Sequence, residues 1–189
     1  AFTAEELWMV GSYFFVEDAI KKGLKIEGVI NLDMIGYPSK KKPSRICCIV
    51  NLKSKEFAQL SFSLNDVYLL GLSPELIESE EDPSDHLPFW RKGYKGICFS
   101  EDTANNIWKG SNPYYHTPYD TLDKLDLSFI VGTTRLAILL LSSLSTIFFE
   151  DGLISFFDIR FNMDYRISFT FIPYLSFYKR RDMMSFIYI

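Results

Sequence analysis

Apolar positions along the chain alternate between short runs of strand length and longer segments with helical spacing. Residues 13–22 and 54–70 carry apolar side chains three and four positions apart, a pattern that predicts amphipathic helices. A last helix is expected after Asp126 or Ser128, since either residue can serve as its N-cap. Three short, mainly apolar runs predict β-strands over residues 26–32, 46–52 and 95–100. Strands that alternate with helices predict a layered α/β fold with a mostly parallel sheet flanked by helices.

Local signals predict where some of these elements begin and end. Ser12 is a suitable N-cap for the first helix, and Gly23 is a suitable residue to end it. Residues 73–85 are acidic and predict a loop. Ser84 or Asp85 can then cap a short helix that follows this loop.

The last part of the chain differs from the rest in composition. Phe and Tyr occupy 11 positions of residues 151–189, whereas residues 1–150 contain 20 aromatic side chains including Trp. We therefore predict a main domain over 1–150 and an aromatic-rich extension over 151–189. Three interpretations of the extension stay open: a β-rich addition that packs on the sheet, a surface-binding appendage, or a terminus altered by gene truncation.

Composition narrows the possible partners. The chain has 189 residues, which is the size of one domain, and a formal net charge of −4. Because no basic field is available for phosphate backbones, we expect no nucleic-acid partner. The odd number of cysteines does not suggest a disulfide framework, and buried thiols in strands are expected for Cys47, Cys48 and Cys98.

Neither a membrane span nor an export signal is predicted. The longest apolar run in the C-terminal half, 136–141, is far shorter than the ~18 residues that cross a bilayer. The first residues, Ala1 to Glu6, have neither the basic start nor the apolar core of a secretory signal. The compartment stays open.

Acidic and histidine side chains recur where predicted strands end. Glu5 and Glu6 follow the apolar pair Ala1-Phe2, which we interpret as the end of a strand, and Asp33 follows the strand over 26–32. His116 lies in the loop before the last helix. Sites in open α/β sheets lie outside the carboxyl ends of the strands, so these side chains are expected to converge. Carboxylate and imidazole ligands suit Zn²⁺.

Five segments carry a resemblance to a known family. In chain order they are FTAEE, GSYFFVE, INLDMIGY, SDHLPFW and NPYYHTPYDTLD. Together they resemble the M28 family of zinc-dependent exopeptidases, over Ala1 to about Phe149. The resemblance implies a zinc-exopeptidase fold and an aminopeptidase activity that removes residues from the free N-terminus of a peptide with a water activated by two zinc ions.

The resemblance also implies roles for individual residues. Glu5 corresponds to the general base of the family and Glu6 to the metal ligand beside it. Asp33, in the LDM motif, corresponds to a ligand of the other metal. His116, in the YHT motif, corresponds to a ligand of the same metal as Glu6.

Neighbouring motif residues are expected to support the site. Asp85 and His86 of the SDH motif are interpreted as supporting residues or helix caps instead of metal ligands. Asp120 is expected to orient the His116 loop by hydrogen bonding. Tyr115, like Tyr114 before it, could present a hydroxyl to the substrate or simply pack.

The chain also departs from the family pattern. The histidine of an HxD motif and the aspartate that bridges both metals, which the family carries upstream of the glutamate pair, have no counterpart here. His86 is the only other histidine, and its motif makes it a poor substitute. We therefore expect an incomplete ligand set, little activity of the chain by itself, and an open sheet edge that the aromatic extension could cover.

Two other functions compete with the aminopeptidase hypothesis. Glutaminyl cyclases resemble these enzymes but use a single zinc ion to form pyroglutamate. A non-catalytic interaction domain could also keep this fold, since function does not follow from fold.

Overall fold

The computed structural model describes residues 2–101, 112–147 and 185–188 of the chain. In this part of the chain, five strands form one sheet. They are β1 (Ile26–Leu32), β2 (Arg45–Val50), β3 (Ser73–Glu78), β4 (Gly96–Ser100) and β5 (Ser185–Tyr188). The α-helices are α1 (Val10–Lys21), α2 (Lys55–Val67), α3 (Leu87–Arg91) and α4 (Leu127–Ile147). Three single 3₁₀ turns cover Glu5–Leu7, Leu52–Ser54 and Leu122–Lys124.

The sheet is mixed but mostly parallel. Its strand order is β3-β2-β4-β1-β5. Strand β1 pairs in parallel with both β4 and β5, and β2 pairs in parallel with β3. Only the central pair, β2 with β4, is antiparallel. The predicted α/β fold with a mostly parallel sheet is confirmed.

Helices cover both faces of the sheet. The larger core joins apolar side chains of α2 and α4 to one face of β1, β2 and β4. Two smaller clusters join α1 and α3 to the opposite face. Because both faces are covered, β2 and β4 are buried along their whole length, which explains why their sequences are almost entirely apolar.

The strand predictions are largely confirmed, with one error. The bounds of β1 are those predicted, and β2 and β4 lie within two residues of theirs. The acidic segment 73–85 was wrongly predicted to be only a loop, because its first six residues form β3. This strand lies at the sheet edge, and its side chains are exposed or half-buried, so it lacks the apolar run that identified the other strands.

Two of the predicted helix ends are confirmed. Gly23 ends α1 with a φ of 64°, and the N–H groups of Gly23 and Leu24 donate to carbonyls of the last turn. Asp126 caps α4, since its Oδ1 accepts a hydrogen bond of 3.0 Å from the N–H of Phe129.

Two of the predicted N-caps are wrong. Ser12 lies inside α1, where its hydroxyl donates to Met9 O and Asp85 Oδ1. Helix α3 has no side-chain cap: His86 occupies the N-cap position, and the hydroxyl of Ser84 is used elsewhere. In both cases a long-range partner has recruited the polar side chain that local sequence had assigned to a cap.

The strand predicted over Ala1-Phe2 is also wrong at Phe2, whereas Ala1 lies outside the described residues. Phe2–Ala4 carry no strand. Instead, Thr3 O accepts a hydrogen bond of 3.0 Å from Gly11 N at the start of α1. The backbone before the glutamate pair is therefore held by a helix and not by the sheet.

We expected an open sheet edge that the aromatic extension could cover, and strand β5 of that extension pairs with β1 at one edge of the described sheet. Ser185–Tyr188 pair with Ile26–Ile30 in parallel, with an irregularity in register. Residues 148–184, which hold most of the predicted aromatic-rich extension, lie outside the described residues. The division of the chain at residue 150 therefore stays a prediction.

Helix α4 bears on the membrane prediction. Its residues Leu127–Ser145 are long and apolar enough to cross a membrane by length and composition. Core helices pass the same criterion, and Leu136 and Leu140 of α4 are fully buried in the larger core. The absence of a transmembrane segment stays a prediction. The expectation for Cys47, Cys48 and Cys98 is confirmed, since all three are buried in strands β2 and β4.

Candidate active site

The glutamate pair lies on a 3₁₀ turn at the start of α1. The N–H groups of Met9 and Val10 donate to Glu5 O and Ala4 O at 2.7 and 3.2 Å, which fastens the turn to the first residues of the helix. A Cβ atom at Gly11 would lie 2.3 Å from Thr3 O. Glycine is required there because only it lets the segment before the glutamates approach the helix so closely.

Asp33 is placed by the end of β1. Its N–H donates to Phe99 O at 3.1 Å, and the N–H of Glu101 donates to Met34 O at 2.8 Å, so pairing with the β4 chain continues past the strand. The carboxylate is oriented by Ser84, whose hydroxyl donates to Asp33 Oδ2 at 2.6 Å. Asp33 therefore projects from the carboxyl edge of the sheet, as predicted.

His116 reaches the glutamate pair from a distant loop. Its Nε2 lies 2.9 Å from Glu6 Oε1, although the two residues are 110 positions apart. The ring of Tyr115 stacks on the imidazole with centroids 3.8 Å apart. Both members of the pair are more than half exposed, so water and solutes reach them.

The pKa of Glu5 shows that the acidic groups converge. This pKa is raised to about 7, mostly by partial burial and then by the charges of Asp33, Glu6 and Asp85. His116 acts in the opposite direction. The predicted site residues therefore share one electrostatic environment, and its excess of carboxylates favours the binding of a cation.

Each segment of the site contains a strained backbone position. Ala4, Met34 and His116 all adopt a left-handed conformation, with φ between 54° and 58°. Residues other than glycine rarely adopt it, and such positions concentrate at functional sites. The strain is consistent with side chains that are held for chemistry.

The supporting residues form hydrogen bonds behind the site. Asp85 Oδ1 accepts a bond of 2.7 Å from Ser12, and burial is the main cause that raises the pKa of this carboxyl. Asp120 Oδ1 accepts a bond of 3.2 Å from Asn112 Nδ2 and closes the loop that carries His116. For Tyr115, burial and then the charge of Glu6 raise the pKa of the hydroxyl.

We call Glu5, Glu6, Asp33 and His116 the acidic site. His86 does not join it. Its imidazole is fully buried, lies edge-on to Trp90, and has Nδ1 3.2 Å from Asn31 Nδ2. Asn31 Nδ2 also donates to Ser84 Oγ at 2.8 Å, and Ser84 in turn holds Asp33. His86 thus reaches the site only through two intervening side chains.

Asn31 and Ser84 were missed by sequence reasoning as positioning residues. Ser84 was considered only as a helix cap. A signal for Asn31 was present, because it is the one amide side chain in the otherwise mainly apolar strand β1 and lies two residues before Asp33. A polar residue buried in such a strand needs a partner, and here that partner orients a candidate ligand.

Fold and site together define a three-layer α/β domain with a site of carboxylates and one histidine at the carboxyl edge of its sheet. Peptidase family M28 matches residues 1–141. This match covers most of the chain, which therefore belongs to Peptidase family M28.

Named relatives agree with this assignment. Aminopeptidase YwaD of Bacillus subtilis is 32% identical over 131 residues, which are 66% of this chain and 27% of the relative. BSAP, a zinc aminopeptidase from Bacillus subtilis, aligns with a TM-score of 0.58 and 25% identity over 76% of this chain and 34% of BSAP. LapA aminopeptidase of Legionella pneumophila aligns with a TM-score of 0.64 and 22% identity over 76% of this chain and 37% of LapA, a similarity of fold.

The chain spans about a third of the length of these relatives. The donor set nevertheless fits zinc in part. Glu6 and His116 provide an oxygen and a nitrogen side by side, and Asp33 adds a carboxylate in the same electrostatic environment. A zinc site ordinarily has at least three protein ligands, so the described residues do not complete two such sites.

Proposed function

We propose that this chain carries the part of an M28 catalytic site that bears the general base and three zinc ligands, and that the site removes residues from the free N-terminus of peptides. The contact between His116 and Glu6 carries the proposal. It joins two motif residues across 110 positions, next to a glutamate whose pKa is raised to about 7. Family membership and the aminopeptidase and zinc aminopeptidase names of the relatives support it.

In this proposal, Glu6 and His116 hold one zinc ion and Asp33 holds the other. When bound, zinc lowers the pKa of a water molecule and polarises the carbonyl group to be cleaved. These three residues do not complete two zinc sites, so the pair of sites requires further ligands. Ser84 keeps the Asp33 carboxylate in place through its 2.6 Å hydrogen bond.

Glu5 acts as the general base. Its carboxylate lies beside Glu6 and is partly shielded from water, and in the chain without metal its pKa is raised to about 7. It takes a proton from the attacking water and gives a proton to the leaving amine. A general base whose pKa lies near the working pH is well suited to both transfers.

The charge of the site fits the substrate. Glu5 lies in the field of Glu6, Asp33 and Asp85, Glu6 is exposed to solvent, and a peptide brings a positive α-ammonium group. Opposite charge attracts that end of the peptide and not its carboxylate. The hydroxyl of Tyr115, which lies in the field of the same carboxylates, is proposed to contact the substrate.

The proposal is tested by measuring the zinc content per chain and the hydrolysis of leucyl-p-nitroanilide on the same sample. Bound zinc and turnover in the wild type, with hydrolysis lost but zinc retained in Glu5→Gln, would support the proposal. Glu17→Gln is the matched control, since Glu17 pairs with Lys92 on the surface of α1. Absence of both zinc and turnover would mean that the chain is not an active peptidase by itself and would favour a non-catalytic domain.

The cyclase hypothesis is separated by the product. An aminopeptidase releases a free amino acid from a peptide that begins with glutamine, whereas a cyclase releases ammonia. Because the relatives reported above are named as aminopeptidases, we expect the free amino acid.

A further inference from the structure

A second group of potential metal ligands lies behind the acidic site. We call Asp82, His86 and Cys98 the inner cluster. One oxygen, one nitrogen and one sulfur of these residues lie within 4.8 Å of one another. Cys98 comes from the buried strand β4, whereas Asp82 and His86 come from the segment that leads into α3.

His86 is the unusual member of this group. Its side chain is 0% exposed, and its Nε2 has no hydrogen-bond partner among the described residues. Asp82 Oδ2 lies 3.4 Å from Nε2, but the contact does not meet hydrogen-bond geometry. Since burial keeps the imidazole neutral, with a pKa of about 3, the contact is not an ion pair either. A buried polar atom without a partner costs about 1 to 3 kcal/mol and calls for an explanation.

The opposite side of the ring faces an amide that would have to rotate to support a bound metal. Nδ1 faces the side-chain amide of Asn31 at 3.2 Å, and the same amide lies 3.5 Å from Cys98 Sγ. If this amide rotates so that its oxygen accepts from a protonated Nδ1, the lone pair of Nε2 becomes free, and the amide no longer donates to Ser84 Oγ. Metal-binding histidines usually have this arrangement, with the second nitrogen bonded to an oxygen.

We propose that Asp82, His86 and Cys98 bind a zinc ion at a site separate from the acidic site. A ligand set of carboxylate, imidazole and thiolate binds zinc in preference to magnesium or calcium. Two anionic ligands neutralise the charge of the ion, which a buried position requires. Zinc bonds of about 2.0 to 2.3 Å require the three atoms to move closer together by a small side-chain adjustment.

The proposed zinc site can be reached from solvent, and a bound ion would affect the residues around it. The Asp82 side chain is 17% exposed, so the ion enters from that side, and water occupies the fourth position. Bound zinc would tie β4 to the segment 82–86, in which Ser84 and Asp85 contact Asp33 and Ser12. The inner zinc would therefore change the support of the acidic site without taking part in its chemistry.

Cobalt absorption distinguishes the two sites, because only the inner cluster contains a sulfur ligand. The full chain is treated with a chelator, kept reduced, and titrated with Co²⁺ alone. We expect a near-ultraviolet thiolate-to-cobalt charge-transfer band that saturates at one ion per chain and disappears when Zn²⁺ is added. Cobalt at the acidic site, which has only oxygen and nitrogen ligands, produces no such band.

Matched variants identify the thiol. Cys98→Ser should lose the band, whereas Cys48→Ser should keep it, because Cys48 is a buried strand thiol that belongs to the larger core on the other face of the sheet. His116→Gln should also keep the band. Asp82→Asn retains the thiol and should weaken Co²⁺ binding by about tenfold or more.

The proposal is wrong if the folded wild type shows no charge-transfer band, or if the band survives Cys98→Ser. Circular dichroism checks that each variant is folded. If Cys98→Ser does not fold, Asp82→Asn decides, and unchanged Co²⁺ affinity contradicts the proposal. The readout does not depend on hydrolysis, so failure of the aminopeptidase proposal and failure of this one are separately visible.

Discussion

The acidic site and the inner cluster lie at the same edge of the sheet but are built in opposite ways. Glu6 and His116 are more than half exposed, lie on turns and loops, and are brought together across 110 positions. His86 and Cys98 are buried, and both contact Asn31 on strand β1. One group is held open to solvent, and the other is closed within the core.

Because of this difference, substitutions in the acidic site and in the inner cluster should have different effects. A carboxylate in the acidic site is partly solvated, so its loss should change chemistry more than stability. A polar group in the inner cluster has no water to replace its partner, so its loss should change stability. The following experiments test that contrast, from the largest expected effect to the smallest.

Removal of the general base should have the largest effect. Glu5→Gln keeps the shape of the side chain but cannot accept a proton, so kcat for leucyl-p-nitroanilide should fall about 100- to 10,000-fold. Zinc content and the free energy of unfolding at neutral pH should not decrease. A fall of less than tenfold would mean that another group accepts the proton.

Asn31→Leu should have the largest effect on stability. It removes the donor that serves Ser84 Oγ and His86 Nδ1, and the free energy of unfolding should fall by about 3 kcal/mol. Urea denaturation measures this change. Glu6→Gln is the counterpart in the acidic site and should stay within about 0.5 kcal/mol of the wild type. Equal losses in the two variants would contradict the contrast.

Ser84 links the two regions, and its loss should affect metal binding. Ser84→Ala removes the hydroxyl that holds Asp33, so zinc affinity of the acidic site should fall about 10- to 100-fold. Competition with a chromophoric chelator measures this affinity in a Cys98→Ser background, which lacks the inner thiolate. Ser63→Ala, which removes an exposed helix hydroxyl, should leave the affinity unchanged.

The smallest effect concerns the pH dependence of stability without metal. The pKa of Glu5 is raised from 4.5 to about 7 in the folded chain, so the folded state binds more protons between these values and loses stability as pH rises through them. The full shift corresponds to about 3 kcal/mol, which screening of this partly exposed group reduces to about 1 kcal/mol.

We therefore expect the free energy of unfolding of Glu5→Gln, relative to that of the wild type, to be about 1 kcal/mol higher at pH 8 than at pH 5. Urea denaturation in the presence of a chelator measures this difference. An equal difference at both pH values would show that the pKa of Glu5 is not raised in the folded chain.

The sequence by itself determined the layered α/β fold and the motif residues of the acidic site. Strand β1 could be predicted with its bounds because it is buried and mainly apolar. Motif order was enough to name Glu5, Glu6, Asp33 and His116 as candidates. Local patterns indicate whether a segment is buried and which motifs it contains. Predicting these properties requires no knowledge of contacts between distant segments.

Only the tertiary structure decided which polar groups meet. Ser12 looked like a helix cap but bonds to Asp85, and Ser84 looked like a cap but holds Asp33. Strand β3 could not be seen because an edge strand needs no apolar run. The inner cluster joins β4 to the segment before α3, and no local pattern encodes that contact. Hydrogen bonds and ligand sets are pairings across the chain, so they exist only after sheet and helices have placed their partners.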